Sequence, residues 1–116
     1  MKAYTDLLQS KKLAKILPLD SADMGYIPSA EDDDGNTLYT AEFKSEIIFD
    51  EVCIPCWSLA ALLNVLPYPS LHKTFSGWRC DSYNKEGKSC ILGESSDNLI
   101  DACYTTIVEL KERNLI

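Results

Sequence analysis

The sequence predicts an α+β fold in which about three helices pack on one face of a small antiparallel sheet. Helix-like and strand-like segments follow one another in the order helix, strands, helix, hairpin, helix. That order lacks the regular alternation of strand and helix that parallel βαβ units require. The chain has 116 residues, 46% of them apolar and 25% charged, which is typical of one folded domain. We therefore expect residues 1–116 to form a single domain.

Three segments are predicted to be helical: residues 5–17, 57–66 and 98–113. In the first, Thr5 can cap the helix, Asp6 suits its positive end, and Pro18 stops the run. The second is apolar on nearly every side, which predicts a central helix that ends at Pro67. The third starts at Asn98, a preferred capping residue, and its apolar residues then recur at helical spacing.

Two strands are predicted between the first two helices. Residues 37–43, TLYTAEF, alternate as a half-buried strand does, and residues 45–51, SEIIFDE, are rich in β-forming residues. Residues 31–36, EDDDGN, predict a loop tip before them. Earlier still, Gly25 and Pro28 are expected to interrupt regular structure.

The segment 75–94 is predicted to be a β-hairpin. Residues 84–87, NKEG, fit a type I turn, with asparagine at its first place and glycine at its last. Pairing Asn84 with Lys88 then divides the strand residues between two faces. One face holds Trp78, Cys80, Cys90 and Leu92, and the other holds Phe75, Tyr83 and Ile91.

The negative charge is concentrated in one part of the chain. The net charge is −7, and residues 20–51 alone carry ten acidic residues against one lysine. This distribution argues against a nucleic-acid partner and is compatible with a basic protein partner. Asp32, Asp33 and Asp34 are the candidate interaction residues, with a merely solvated loop as the alternative.

The N-terminal residues carry no apolar run of the kind found in secretory signals, and no segment is apolar enough to span a bilayer. We therefore expect a soluble, cytoplasmic protein with no membrane partner. In that compartment the five cysteines should be reduced thiols.

The best chemical candidate is the pair Cys53 and Cys56, with Pro55 before the second cysteine. It is similar to the C-x-P-C motif of thioredoxin-like oxidoreductases, in which a strand leads to the pair and a helix leaves it. The resemblance implies Cys53 as the attacking thiolate and Cys56 as the resolving thiol. It covers only about 20 residues, and the parallel pairing of thioredoxins is not readable after Pro67. The alternative is that both cysteines pack a helix end.

A structural zinc site is a further alternative. Zinc takes about four ligands, usually as two close pairs. Cys53 and Cys56 make one such pair, whereas Cys80 and Cys90 lie ten residues apart on two arms of the predicted hairpin. Buried reduced thiols are the simpler interpretation of all four, so we expect neither a metal nor another cofactor.

Other motifs fail on their spacing. Gly87-Lys88-Ser89 resembles the end of a phosphate loop, but Ser82 stands where that loop requires its first glycine. A calcium loop built around Gly35 would place alanines at both terminal ligand positions. His72 could serve a hydrolase as its base, yet no Gly-x-Ser-x-Gly motif presents a nucleophile. No catalytic residue is therefore predicted beyond the thiol pair.

Three stretches together resemble a group of small uncharacterised proteins from gut bacteria of the Bacteroides type and from their phages and mobile elements. The stretches are QSKKLAKILPLDSADM at 9–24, IPCWSLAALLNVLP at 54–67 and DNLIDACYTTIVELKERNLI at 97–116. The resemblance implies a cytoplasmic accessory protein, derived from a phage or mobile element, and it transfers no catalytic residue.

These observations favour a non-enzymatic accessory or protein-interaction module that acts through a protein partner. The alternatives are a thiol-disulfide oxidoreductase that uses Cys53 and Cys56, and a structural zinc-binding protein. A third possibility is that the acidic segment imitates nucleic acid and occupies a DNA-binding protein.

Overall fold

The computed structural model of the protein describes residues 2–83 and 90–116, and the backbone alone of Cys90. Within these residues the chain forms three helices and six strands. The helices are α1 (Leu7–Ile16), α2 (Leu59–Val65) and α3 (Leu99–Glu112). The strands are β1 (Met24–Glu31), β2 (Thr37–Phe43), β3 (Ile54–Cys56), β4 (Pro69–Thr74), β5 (Gly77–Tyr83) and β6 (Cys90–Ile91).

The predicted α+β class is confirmed. The strands, however, form two antiparallel sheets of three strands each, in the orders β2-β1-β3 and β4-β5-β6, and not one sheet. Of the helices in the described ranges, none combines the length and the apolar character that crossing a membrane requires.

Helix α1 begins two residues later than predicted, because Asp6 and not Thr5 is its N-cap. The Asp6 carboxylate accepts a hydrogen bond from the Gln9 amide at 2.8 Å, and the Gln9 side chain accepts one from the Asp6 amide at 3.1 Å. This reciprocal pair of hydrogen bonds satisfies two backbone amides that have no carbonyl partner within the helix. Thr5 is fully buried and uses its hydroxyl elsewhere.

Helix α2 follows Ser58, whose hydroxyl accepts a hydrogen bond from the Ala61 amide at 3.3 Å. The Asp23 carboxylate in turn accepts one from the Ser58 amide at 3.0 Å. The predicted central position is confirmed, because Leu62 is fully buried in the middle of this helix and Trp57, just before its cap, is fully buried as well.

Strand β1 runs through Gly25 and Pro28, the two residues that were expected to interrupt regular structure. A Cβ at Gly25 would lie 2.7 Å from the Phe49 ring, so glycine is needed for that ring to cross the strand. Pro28 lies beside a register shift between β1 and β2, at Pro28/Ala30, where the ladder is already irregular. The prediction of an interruption was therefore wrong.

The second strand predicted before α2, at residues 45–51, was also wrong. The chain there makes a 3₁₀ turn, Lys44–Glu46, and then a loop that packs Ile47 and Phe49 over Gly25. The strand that pairs with the other side of β1 is β3, which holds Pro55 opposite Gly25. The loop residues thus cover a sheet face and do not extend its edge.

The second sheet contains the predicted hairpin, with a register one residue away from the prediction. The structure pairs Ser82 with Ile91 and Tyr83 with Cys90. This slip moves Ile91 onto the face of Cys80, and it leaves Ile91 buried and Leu92 64% exposed. The predicted face for Ile91 was therefore wrong, since the buried face of the sheet selects the register. The predicted turn at 84–87 and the pair of 84 with 88 lie outside the described residues.

The core lies where α3 packs across β5 and against α2. Its largest fully buried side chains include Trp57, Leu13, Leu62, Ile100 and Ile107. The β1–β2 hairpin leaves this core, because β1 changes from buried at Met24 and Gly25 to exposed from Pro28 onward. The molecule is accordingly elongated, with dimensions of 50 × 30 × 24 Å.

Candidate functional site

The thiols of Cys53 and Cys56 lie in two different environments. Cys53 is 8% exposed, and its thiol lies 3.8 Å from the Ile48 carbonyl and 3.6 Å from the Asp50 carboxylate. Cys56 is fully buried, and its thiol donates to the Thr5 carbonyl at 3.5 Å. Cys53 directly precedes β3 and Cys56 is its last residue, so both lie ahead of the Ser58 cap and neither occupies the first turn of α2.

Burial raises the pKa of the Cys56 thiol, against the opposing effect of hydrogen bonds with Thr5, Ser10 and Tyr26. A raised pKa keeps the thiol protonated near neutral pH. Exchange chemistry instead requires accessible thiolate. The pair therefore has the features of packed thiols, and its redox role stays an untested prediction.

Around Cys56 the structure builds a buried polar cluster that the sequence did not indicate. The Thr5 and Ser10 hydroxyls lie 2.8 Å apart, and the Trp57 amide donates to the Thr5 hydroxyl at 3.1 Å. The Tyr26 hydroxyl donates to the Thr5 carbonyl at 2.7 Å. The cluster joins α1, β1 and β3 with its polar groups paired, which is the pattern of a structural network.

Three of the four cysteines proposed for the zinc site, Cys53, Cys56 and Cys80, have described side chains. Within residues 2–83 and 90–116, no three side chains among His, Cys, Asp and Glu are placed to hold a metal ion. Cys80 is fully buried beside Cys103 of α3, a contact that the sequence did not suggest. Their thiol–thiol hydrogen bond and burial raise the pKa of Cys103. The side chain of Cys90 lies outside the description, so the four-cysteine site stays untested.

A second polar cluster lies on the β4–β5 hairpin, on the face opposite to that of Cys80. Asp81 is 1% exposed, and its carboxylate accepts from the Gly93 amide at 2.9 Å and from Arg79 Nη2 at 3.2 Å. His72 Nε2 lies 3.3 Å from Asp81 and 2.9 Å from the Ser70 hydroxyl. The alternation of polar residues along β4 could have suggested this face.

This arrangement has the residue types of a Ser-His-Asp triad without its geometry. In a triad one imidazole nitrogen faces the serine and the other faces the aspartate. Here Nε2 of His72 faces both Ser70 and Asp81. A single nitrogen cannot both donate to the carboxylate and accept the serine proton. The cluster pairs the buried Asp81 carboxylate with Arg79 and the Gly93 amide.

The remaining candidate is the acidic arm, by which we mean the β1–β2 hairpin, residues 24–43. It carries five acidic residues, Glu31, Asp32, Asp33, Asp34 and Glu42, and no lysine or arginine. At its tip Asp33 and Asp34 are exposed, while Gly35 takes the positive φ of 82° that the turn requires. The predicted loop tip is thus confirmed.

Asp32 differs from its two neighbours because it holds the turn together. Its carboxylate accepts from the Asp34 amide at 2.9 Å and from the Asn36 amide at 2.8 Å. These bonds, led by the one from the Asn36 amide, lower the pKa of Asp32. Asp33 and Asp34 are therefore the residues whose charge can be removed without opening the turn.

Two surface depressions lie among the described residues. One, of about 480 Å³, lies between the ends of the helices and is lined by residues that include Leu17, Val65, Lys111 and Ile116. The other, of about 280 Å³, lies beside Lys2, Tyr4 and Tyr26. Neither is lined by a cysteine or by His72, so neither brings the candidate chemistry into contact with a ligand.

Comparison of the chain with protein-family models, with curated proteins and with solved structures finds no match. The resemblance to proteins of Bacteroides-type bacteria and their phages accordingly stays a prediction.

Proposed function

We propose that this protein is a non-enzymatic interaction module that uses its acidic arm to bind a basic protein partner. The observation that carries the proposal is the arm itself, five acids without a single base on a hairpin exposed along its outer half. A cluster of one sign of charge on a projecting element raises the local concentration of oppositely charged partners and speeds their association.

The environments of the polar groups elsewhere support a binding role over an enzymatic one. The thiol of Cys56 is fully buried, and the Asp81 carboxylate accepts hydrogen bonds from the Gly93 amide and from Arg79. An active site brings a nucleophile or a base to a cavity that a substrate can reach. The acidic arm, by contrast, meets the solvent directly.

A basic protein fits the arm better than the other macromolecules do. Nucleic acid and anionic membrane surfaces both carry negative charge and would be repelled by the arm. We place the module in the cytoplasm, where its cysteines would stay reduced.

Capture of the partner from the native host tests this proposal. A photocrosslinker placed at Ser29, an exposed arm residue, should capture a basic protein. The double variant Asp33→Asn/Asp34→Asn should reduce the yield about tenfold, because two of the arm's charges are lost. The matched control is Glu94→Gln/Glu112→Gln, which removes the same charge from exposed positions outside the arm.

The salt dependence provides an independent measurement. Raising the ionic strength from about 0.05 M to about 0.5 M should abolish capture by screening the arm. Equal capture by the arm variant and the control variant would refute the proposal, and so would capture of a partner that carries no basic surface.

A further inference from the structure

We infer that the partner contributes an extended basic segment, which adds as a strand to the free edge of β2. The inference rests on the function proposed above and names the contact through which the acidic arm would act. Strand addition obtains its affinity from main-chain hydrogen bonds and its specificity from alternating side chains. Both features can be located on β2.

The outer edge of β2 is open in the part of the chain that the structure describes. The sheet order β2-β1-β3 leaves β2 at the edge, with β1 as its only paired neighbour among the described strands. Proteins usually protect such an edge with a proline, a bulge or a short strand. Here the strand runs for seven residues, the proline and the bulge belong to β1, and the edge itself carries one charged residue, Glu42.

The hydrogen-bond pattern shows which groups point outward. The Lys44 amide donates to the Asp23 carbonyl at 3.0 Å, which makes Met24 and Phe43 a pair without mutual hydrogen bonds. The amide and carbonyl of Phe43 therefore point away from β1. Because the two kinds of pair alternate along an antiparallel ladder, the same holds for Ala41 and Tyr39.

The position of Pro28 is consistent with this assignment of outward-pointing groups. It pairs with Tyr39, and a proline fits a position whose nitrogen does not have to donate to the neighbouring strand. The outward groups of Tyr39, Ala41 and Phe43 thus form a continuous row of three donors and three acceptors. A partner strand can pair with all of them.

The side chains along β2 specify the chemistry of the added segment. Phe43 is 49% exposed and shares one face of β2 with Tyr39 and Ala41, so an apolar residue of a partner strand would cover it, whereas Glu42 lies on the other face. Glu42 and the tip residues Asp33 and Asp34 require lysine or arginine opposite them. The segment that fits is therefore extended and alternates basic with apolar residues.

A second copy of this chain fits the edge less well. Pairing two β2 edges would bring together two arms that each carry five acids and no base. Like charges on adjacent strands oppose each other. The charge of the arm therefore selects a basic partner over self-association.

The test uses a synthetic peptide of about eight residues that alternates lysine and valine, which is an ordinary strand length. Binding should protect the amides of Tyr39, Ala41 and Phe43 from hydrogen exchange by about tenfold or more. The amides of Thr40 and Glu42, which face β1, serve as internal controls and should change little. Alternate N-methylation of the peptide backbone should weaken binding about tenfold, because it removes the bonds while the charge remains.

A pair of variants repeats the test on the protein. Ala41→Pro removes one outward donor and leaves the β1 side of the ladder intact, whereas Ala41→Val keeps that donor. The proline variant should bind the peptide about fivefold to tenfold more weakly than the valine variant. The N-methylated peptide keeps the inference testable even if Ala41→Pro does not fold.

Three outcomes would overturn strand addition: equal binding of the N-methylated peptide, unchanged exchange at the three outward amides, or protection of those amides by self-association without peptide. In each case the arm could still bind its partner through charge, and capture that depends on Asp33 and Asp34 would show this. Loss of that charge dependence would instead remove the proposed function itself.

Discussion

The side-chain hydroxyl of Thr5 accepts a hydrogen bond from the backbone amide of Trp57 at 3.1 Å, and the Thr5 amide donates to the Trp57 carbonyl at 2.9 Å. A residue with the sequence signature of a helix cap therefore anchors the Cys-x-Pro-Cys segment to the N-terminus. The same contact covers the thiol of Cys56. A chemical interpretation of that motif thus depends on a residue 51 positions away.

Replacing Thr5 with valine should destabilise the fold by about 1–3 kcal/mol, because the buried Trp57 amide loses its partner. Thr5→Ser keeps the hydroxyl and should cost less than about 1 kcal/mol, since only a methyl group is removed. Urea unfolding followed by tryptophan fluorescence measures both values. A larger loss for Thr5→Ser than for Thr5→Val would mean that packing of the methyl group, and not the hydrogen bond, matters at this position.

Cys56 should react slowly with N-ethylmaleimide in the native protein, since it is fully buried and burial raises the pKa of its thiol. We expect its labelling near pH 7 to be at least about a hundredfold slower than in urea, because it requires local opening. Peptide mapping by mass spectrometry separates Cys56 from the other thiols. Rapid native labelling of Cys56, together with oxidation to a bond with Cys53, would restore the oxidoreductase hypothesis.

Protonation of Asp101 should lower the stability of the protein at acidic pH. Burial acts to raise its pKa, but hydrogen bonds from Lys2, Gln9 and Asn98 outweigh that effect, so the pKa of Asp101 lies below its ordinary value. A carboxyl with a lowered folded-state pKa stabilises the protein above its unfolded pKa of about 3.9, and this stabilisation is lost as the pH falls through the folded value.

Asp101→Asn should therefore cost about 1 kcal/mol at pH 7, a modest value because its ion pair with Lys2 is partly exposed to solvent screening. The difference from the wild type should shrink at a pH below the lowered pKa of Asp101, where the carboxyl is protonated in both states. Urea unfolding at the two pH values measures this, with the exposed Glu94→Gln as the control. A difference that does not vary with pH would mean that the charge of Asp101 is not what stabilises the contact.

Gly93→Ala should destabilise the fold by about 3 kcal/mol, because an added Cβ would lie 2.2 Å from the Cys80 carbonyl oxygen. The comparison is Gly35→Ala, where no atom lies within 4 Å but the backbone has a φ of 82°. That variant should cost about 1 kcal/mol from backbone strain alone. Thermal unfolding ranks the two, and a smaller loss at Gly93 would contradict the close approach of β5 to the chain after β6.

The sequence predicted correctly those elements that depend only on residues close to one another in the chain. Strand β2 alternates within its own seven residues, and α3 begins at the predicted Asn98 cap because the Asn98 side chain meets an amide three residues on. The acidic tip was also predictable, since Gly35 and the aspartates define a turn without help from distant residues. The α+β class follows from the order of such elements.

Other features depend on contacts between residues that are far apart in the sequence, and only the tertiary structure decided them. Gly25 disfavours a strand by itself, but within the fold it is the one residue that lets the Phe49 ring cross β1. The register of Ile91 depends on which face α3 buries, and a slip of one residue reverses that face. Cys53 and Cys56 have the spacing of a redox motif, but the thiol of Cys56 is buried against Thr5. The sequence by itself therefore determined the class of the fold, strand β2 and the acidic loop tip, because these follow from neighbouring residues, whereas burial and pairing arise between distant ones.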